Sequence, residues 1–205
     1  MRVLLTHGLG RTPLSLAWLA RDLRRAGHAP ALIGYVAALE SWAAIRARVR
    51  SRLEAAARSG RPYAAVGHSL GGLLLRSALA DWPLDLPPPR RVVLLGTPNH
   101  PPRLAARFRH TWPYGLLGGE CGQLLAHPPF FAALPPPAVP CTVIAGTSGW
   151  RSRWSPFGRD ANDGIVAVCE AELDTQSAAI QVAVGHTFMT LDRRVRTLVC
   201  EVLAA

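Results

Sequence analysis

Tyr63-Ala64-Ala65-Val66-Gly67-His68-Ser69-Leu70-Gly71-Gly72-Leu73-Leu74-Leu75 is a short apolar run that passes through a glycine-bounded turn straight into a longer apolar run. Tyr63 to Val66 has the length and character of a strand buried on both faces. Leu70 to Ala80, nearly all apolar, reads as a central helix. A strand that doubles back into a helix this abruptly leaves no room for Cβ atoms at the two flanking glycines, and Gly72 lets the helix approach the sheet closely. Ser69 is thereby left on a strained tip with its hydroxyl above the sheet edge. In this strand, turn and helix context a G-x-S-x-G segment reads as the seat of a serine nucleophile.

Working outward, similar short runs recur at Arg2 to Thr6, Ala31 to Tyr35, Arg91 to Leu95, Cys141 to Ala145 and Ala178 to Val184. Helical patterns lie between them. Thr12 and Pro13 open one with Leu16, Leu19 and Leu23 as its stripe and Gly27 as its end. Ser41 opens another, with Trp42, Ile45, Val49, Leu53 and Ala56 on one face and Gly60 beyond its end. Its Arg46, Arg48, Arg50 and Arg52 are expected on a solvated outer face. Asp192 to Leu203 forms the last helix. Strands alternating with helices imply an α/β fold: a three-layer α/β/α sandwich around a six-stranded, mostly parallel sheet with right-handed crossovers. No repeat or linker divides the chain, so residues 1–205 are expected to form a single domain. Pro98 to Pro140 interrupts the rhythm, being rich in Pro, His and aromatics, and is expected to be a lid-like or pocket-forming insertion at about 98–140.

A serine hydroxyl needs a general base, usually a histidine whose tautomer is fixed by a carboxylate. In a parallel sheet reactive groups gather beyond the carboxyl ends of the strands. His186, two residues past the last strand, lies at that end, whereas His28 precedes a strand and His100, His110 and His127 belong to the insertion. The acid is expected after the strand ending at Ala145, where Asp160, Asp163 and Asp174 are the nearest carboxylates. Asp163 is preferred, because Gly164 follows it and Ile165-Val166 can anchor it, while Arg159 beside Asp160 favours a surface pair. Charge on the substrate oxygen would be held by two backbone amides, that of Leu70 after the nucleophile and that of Leu9 in the turn His7-Gly8-Leu9-Gly10. His7 itself is expected to hydrogen-bond loop backbone. Neither glycine stretch ends in Lys-Ser/Thr or has the G-x-G-x-x-G spacing of a phosphate loop.

With 205 residues, 49% hydrophobic and 18% charged, the composition is that of a globular chain and excludes disorder; 18 Gly and 18 Pro without a three-residue period exclude collagen. No apolar run reaches the roughly 20 residues of a membrane helix. All 23 basic residues are Arg, against 13 acidic ones, giving a net charge of +10. They are scattered and no nucleic-acid motif accompanies them, so coding bias is the favoured source of the charge and no nucleic-acid partner is expected. Peripheral contact with a membrane stays open. The four cysteines are too far apart for a metal or redox motif, and the histidines and carboxylates show no ligand spacing, so no metal is expected. The apolar run after Arg2 stops without a cleavage site, which gives a cytoplasmic expectation.

Taken together, Thr6-His7-Gly8-Leu9-Gly10, Gly67-His68-Ser69-Leu70-Gly71-Gly72, Leu95-Gly96-Thr97-Pro98-Asn99-His100, Asn162-Asp163-Gly164-Ile165-Val166 and Gly185-His186 resemble a small bacterial α/β-hydrolase of the lipase and esterase kind. The resemblance implies a reduced fold with strand order 2-1-3-4-5-6, a triad of Ser69, Asp163 and His186, and no cofactor. The expected activity is hydrolysis of a small-molecule or lipid carboxylic ester through acyl-Ser69, with Leu9 and Leu70 as the oxyanion hole. An acyltransferase or thioesterase would use the same machinery, and a non-catalytic binding protein could use the same scaffold. The apolar side chains of the insertion, Trp112, Tyr114, Leu116, Leu117, Phe130 and Phe131, are expected either to wall an acyl site or to cover the sheet edge.

Overall fold

The computed structural model describes residues 1–173 and 178–205; the side chains of Pro113, Tyr114, Leu116 and Leu117 also lie outside the described residues. Six strands, β1 (Arg2–Thr6), β2 (Ala29–Ile33), β3 (Tyr63–His68), β4 (Val92–Leu95), β5 (Cys141–Gly146) and β6 (Ile180–Val182), form one sheet. Its order is β2-β1-β3-β4-β5-β6, and all five pairings are parallel. Side chains alternate between two buried faces, as a strand's period of two requires. Leu4, Ala65, Leu94 and Ala145 join one core, whereas Leu5, Val66, Leu95 and Ile144 join the other. Helices α2 (Trp42–Ala57) and α3 (Leu70–Leu79) cover the first face, and α1 (Ala17–Arg25) and α8 (Arg193–Ala204) cover the second.

The helices begin where side chains can satisfy their free amides. Ser41 Oγ accepts from the Ala44 N–H at 3.2 Å, and Asp192 caps α8 through the Arg194 N–H at 2.8 Å. Thr12 does not cap: its side chain accepts no such bond, and Pro13–Leu16 is a 3₁₀ turn that leads into α1. Gly27 and Gly60, with φ of +79° and +67°, end the turns after α1 and α2 in a conformation that favours glycine. On α2, Arg46 and Arg50 pair with Asp81, and Arg48 pairs with Glu40, so these guanidinium groups are matched within the chain.

Besides the Thr12 cap, three segments differ from the sequence reading. Strand β6 spans only Ile180–Val182 rather than Ala178 to Val184. Strand β2 begins two residues early and contains Pro30, which is tolerated because β2 is an edge strand and a missing N–H costs nothing on its open side. The segment Pro98 to Pro140 folds into three short helices, α4 (Arg103–Phe108), α5 (Trp112–Leu125) and α6 (Pro128–Ala132). The sequence reading marks this stretch as a proline-rich insertion and places no helix in it. The prolines at 113 and 128, however, stand in first turns, where a helix has no use for the missing donor. Helix α5 kinks at Gly119 (φ 53°), where a Cβ would lie 2.7 Å from the Ala37 carbonyl oxygen. A further short helix, α7 (Val168–Ala171), follows the loop after β5.

Candidate active site

Strand β3 passes into α3 through one residue, Ser69, at φ 54° and ψ −122°. Among the described residues it is the sole non-glycine with positive φ, a conformation that costs on the order of 1–3 kcal/mol and persists only where surroundings impose it. Here they do. The Ser69 N–H donates to the Leu95 carbonyl at 2.8 Å, and the Ser69 carbonyl accepts from the Gly72 N–H at 3.0 Å. A Cβ on Gly67 would lie 2.5 Å from the Gly72 nitrogen, and one on Gly71 would lie 2.5 Å from the Thr6 oxygen. Close contact between backbones thus fixes the bend, and Ser69 is half-buried at its tip.

His186 opens a 3₁₀ turn, His186–Phe188, beyond β6. Its Nδ1 lies 2.7 Å from Asp163 Oδ2, and its N–H donates to the Asp163 carbonyl at 2.9 Å. The Asp163 side chain is 1% exposed. Its other oxygen, Oδ1, accepts from the Ile165 N–H at 2.9 Å and the Val166 N–H at 2.7 Å. Asn162 braces the same loop: Oδ1 accepts from the Gly164 N–H at 2.9 Å, and Nδ2 donates to the Asp160 carbonyl at 3.0 Å. A carboxylate only accepts, so we assign the proton to His186 Nδ1, leaving Nε2 with a lone pair. That is the tautomer a general base needs.

The two halves share one small volume. A Cβ on Gly8 would sit 3.2 Å from Ser69 Cβ, and one on Gly96 would sit 3.1 Å from both Asp163 Oδ2 and His186 Nδ1. Gly96 in turn follows Leu95, whose carbonyl holds the Ser69 amide. Ser69, Asp163, His186 and the turn after β1 therefore converge at the carboxyl edge of the sheet.

That turn is held by a latch the sequence reading did not contain. Tyr35 hydroxyl donates to the His7 carbonyl, the Tyr35 N–H donates to His7 Nε2 at 3.4 Å, and the two rings stack 4.0 Å apart. His7 Nδ1 donates to the Gly8 carbonyl at 3.0 Å, in keeping with a backbone-bracing role. Burial pushes the His7 pKa below its ordinary value. The Leu9 and Leu70 amides have no backbone acceptor among the described residues.

The other candidates lie apart. Asp160 does form a surface pair, but with Arg103 at 2.7 Å across the loop rather than with its neighbour Arg159. Asp174 lies outside the described residues. His28 sits before β2 at the far edge, and His110 accepts from Arg109 Nε at 2.8 Å. Phe130 packs edge-on against Trp42 of α2, 4.9 Å away. Phe131 lines a cavity of about 420 Å³ together with Arg76, Asn99, Leu134 and Leu173. Trp112 is 77% exposed, and Tyr114, Leu116 and Leu117 lie outside the described side chains. Sequence reasoning also missed the brace that ties the insertion down. Arg76 Nη1 donates to Asn99 Oδ1 at 2.9 Å and Arg76 Nη2 to the Leu134 carbonyl at 2.6 Å, while buried Glu170 accepts the Arg103 N–H at 3.1 Å. A polar residue within the apolar α3 was the available signal for Arg76.

The alpha/beta hydrolase family model matches residues 3–205. Among solved structures, the chain is similar to a lipase of Bacillus licheniformis in its mature form, at 20% identity and a TM-score of 0.66, over 98% of this chain and 91% of that one. A metagenomic carboxyl esterase matches at 21% identity and a TM-score of 0.68, over 91% and 64%. A phospholipase of Legionella pneumophila matches at 17% and 0.64, over 84% of this chain and 46% of that one. At these identities the likeness is one of fold. No curated protein sequence matches the chain.

Proposed function

We propose that this chain, which belongs to the alpha/beta hydrolase family, is a serine hydrolase that cleaves carboxylic esters. In this reading Ser69 Oγ attacks the ester carbonyl while His186 Nε2 takes its proton. Asp163 keeps the imidazole in the accepting tautomer and steadies the imidazolium that forms. The Leu9 and Leu70 amides hold the oxyanion. His186 then gives the proton to the departing alcohol, leaving acyl-Ser69, and a water activated by the same imidazole releases the acid. We read residues 98–140 as the pocket-forming insertion of a single domain, and the protein as cytoplasmic.

The observation that carries the reading is the 2.7 Å pairing of His186 Nδ1 with a buried carboxylate beside a serine held at positive φ. A serine kept in a costly conformation at the sheet edge where an oriented imidazole also lies has a chemical use and little structural one. The choice of ester draws on the lipase and esterase among the similar structures. A fluorophosphonate should label the chain at Ser69, located by mass spectrometry. Ser69→Ala should abolish both labelling and p-nitrophenyl ester hydrolysis, with losses on the order of 10⁴ to 10⁶. An adduct elsewhere, or an alanine variant keeping a tenth of the rate, would remove Ser69 from the mechanism.

A further inference from the structure

We propose that His68 is a positioning residue for His186: by donating its Nε2–H to the His186 carbonyl, it holds the turn that carries the base against the strand that carries the nucleophile, and stays uncharged while doing so. The inference rests on the serine-hydrolase reading, and it concerns a residue that reading leaves without a part.

His68 is the last residue of β3 and immediately precedes Ser69. Its Nε2 lies 3.2 Å from the His186 carbonyl oxygen, linking residues 118 positions apart in the chain. In the sheet, β3 and β6 are separated by β4 and β5, so this bond crosses directly over what the backbone reaches only through two intervening strands. It completes the clamping of one peptide unit after another around the base. The His186 N–H is held by Asp163, and among the described residues the His186 carbonyl otherwise accepts a long 3.4 Å bond from the Met189 N–H. The side chain of His186 is thus aimed by Asp163 and its main chain is anchored by His68.

The proton inventory of the ring fixes its charge. A carbonyl only accepts, so Nε2 carries the hydrogen. Nδ1 is buried and has no hydrogen-bond partner among the described residues; it faces Gly8, on which a Cβ would lie 3.0 Å away. Protonating Nδ1 would create a buried N–H with no acceptor, beside a turn whose backbone must remain close. The groups around it disfavour a positive charge further. His186 faces it from the turn after β6, with ring centroids 4.9 Å apart, and His7 and Arg11 face it from the turn after β1. Asp163, the nearby carboxylate, is engaged with His186. Burial first, and then these neighbours, push the His68 pKa well below its ordinary value. This matters because His186 becomes cationic in the proposed mechanism, and a second imidazolium at that distance would oppose it.

The test compares His68→Phe, which keeps a ring but no donor, with His68→Gln, whose amide N–H can reach the same carbonyl. Steady-state hydrolysis of a soluble p-nitrophenyl ester should show kcat reduced on the order of 10²-fold in the Phe variant with KM little changed, as for a misplaced catalytic group. The Gln variant should recover most of the rate, and its kcat/KM against pH should overlay the wild type, because His68 adds no ionisation of its own. If His68 merely packs the core, the ranking reverses: Phe stays active and Gln suffers. That reversal, equal loss in both variants with unchanged melting temperatures, or a displaced acid limb in the Gln variant would overturn the proposal. Side-chain ¹⁵N NMR of the wild type reads the same point without activity or variants. An Nε2–H tautomer should persist from pH 5.5 to 8, and an Nδ1–H or charged ring there would also overturn it. Failure of the wild type to label with a fluorophosphonate would instead strike the serine-hydrolase reading, with the NMR result still deciding how His68 is bonded.

Discussion

Replacing Asp163 by Asn keeps the shape of the side chain, so the groups around the carboxylate decide the outcome. Oδ1 accepts two amides, from Ile165 at 2.9 Å and Val166 at 2.7 Å, so the asparagine oxygen must take that place. Its NH₂ then faces His186 Nδ1 across the present 2.7 Å. Two donors cannot share that line, so the imidazole must move its proton to Nε2 and can no longer accept from Ser69. Turning the amide round would restore the base but set NH₂ against two N–H groups, the buried one of Val166 and the part-buried one of Ile165. At about 1–3 kcal/mol for each donor left without an acceptor, that orientation lies about 2–6 kcal/mol higher. With about 1.36 kcal/mol per decade, the productive tautomer is then populated between about 1 in 30 and about 1 in 3 × 10⁴. Loss of the carboxylate charge beside the imidazolium adds to this, and the comparable protease substitution costs about 10⁴ in kcat. We expect kcat to fall by about 10³ to 10⁴ with KM little changed. The melting temperature should move little, because both amide bonds survive. Asp160→Asn is the control: its exposed pair with Arg103 is worth at most about 1 kcal/mol and its loss should not change the rate. Initial-rate kinetics on a p-nitrophenyl ester, with thermal melts of the same preparations, decide the matter. Asp163→Asn keeping more than a tenth of wild-type kcat, or Asp160→Asn causing the large drop, would refute the reasoning.

Tyr35→Phe removes the hydroxyl from the His7 carbonyl; it should cost about 1–3 kcal/mol of stability and lower kcat through a looser Leu9 turn, which melts and kinetics will show together. Gly71→Ala would drive a Cβ to 2.5 Å from the Thr6 oxygen and 2.6 Å from the His7 oxygen, so destabilisation at or above the roughly 1–3 kcal/mol of ordinary overpacking is expected; a soluble variant with wild-type melting temperature would contradict that geometry. His7 and His68 are both held below the ordinary histidine value by burial, so on acidification the unfolded chain binds protons first. Stability is fully present above about pH 6.5 and is lost as the pH falls below it, by up to about 1.4 kcal/mol per pH unit for each histidine. Urea unfolding from pH 8 to 5 should show the decline, and its slope should flatten in His68→Gln.

Patterns local to a few residues determined most of the fold. The short apolar runs marked the strands because a strand buried on both faces needs no polar alternation, and Ser41 and Asp192 marked helix starts because capping involves only the next turn. Gly67, Gly71 and Gly72 marked the bend at Ser69, because crowding between adjacent backbones is visible as absent side chains. The parallel sheet then assigns each motif to one edge, which singles out His186 and Asp163 from the sequence alone.

What the sequence could not supply depends on contacts between distant positions. Pro30 reads as a strand breaker until the sheet order makes β2 an edge, and the prolines at 113 and 128 read as helix breakers until the chain direction sets them in first turns. Tyr35 could not be matched to His7, nor Arg103 to Asp160, because the partners are separated by 28 and 57 residues and any residue of suitable polarity would serve equally well on paper. His68 shows the difference most clearly. The sequence places it beside the nucleophile, but only the packing of the β6 turn against β3 brings the His186 carbonyl to its Nε2, since hydrogen bonds across a sheet are fixed by how its layers close and not by neighbours along the chain.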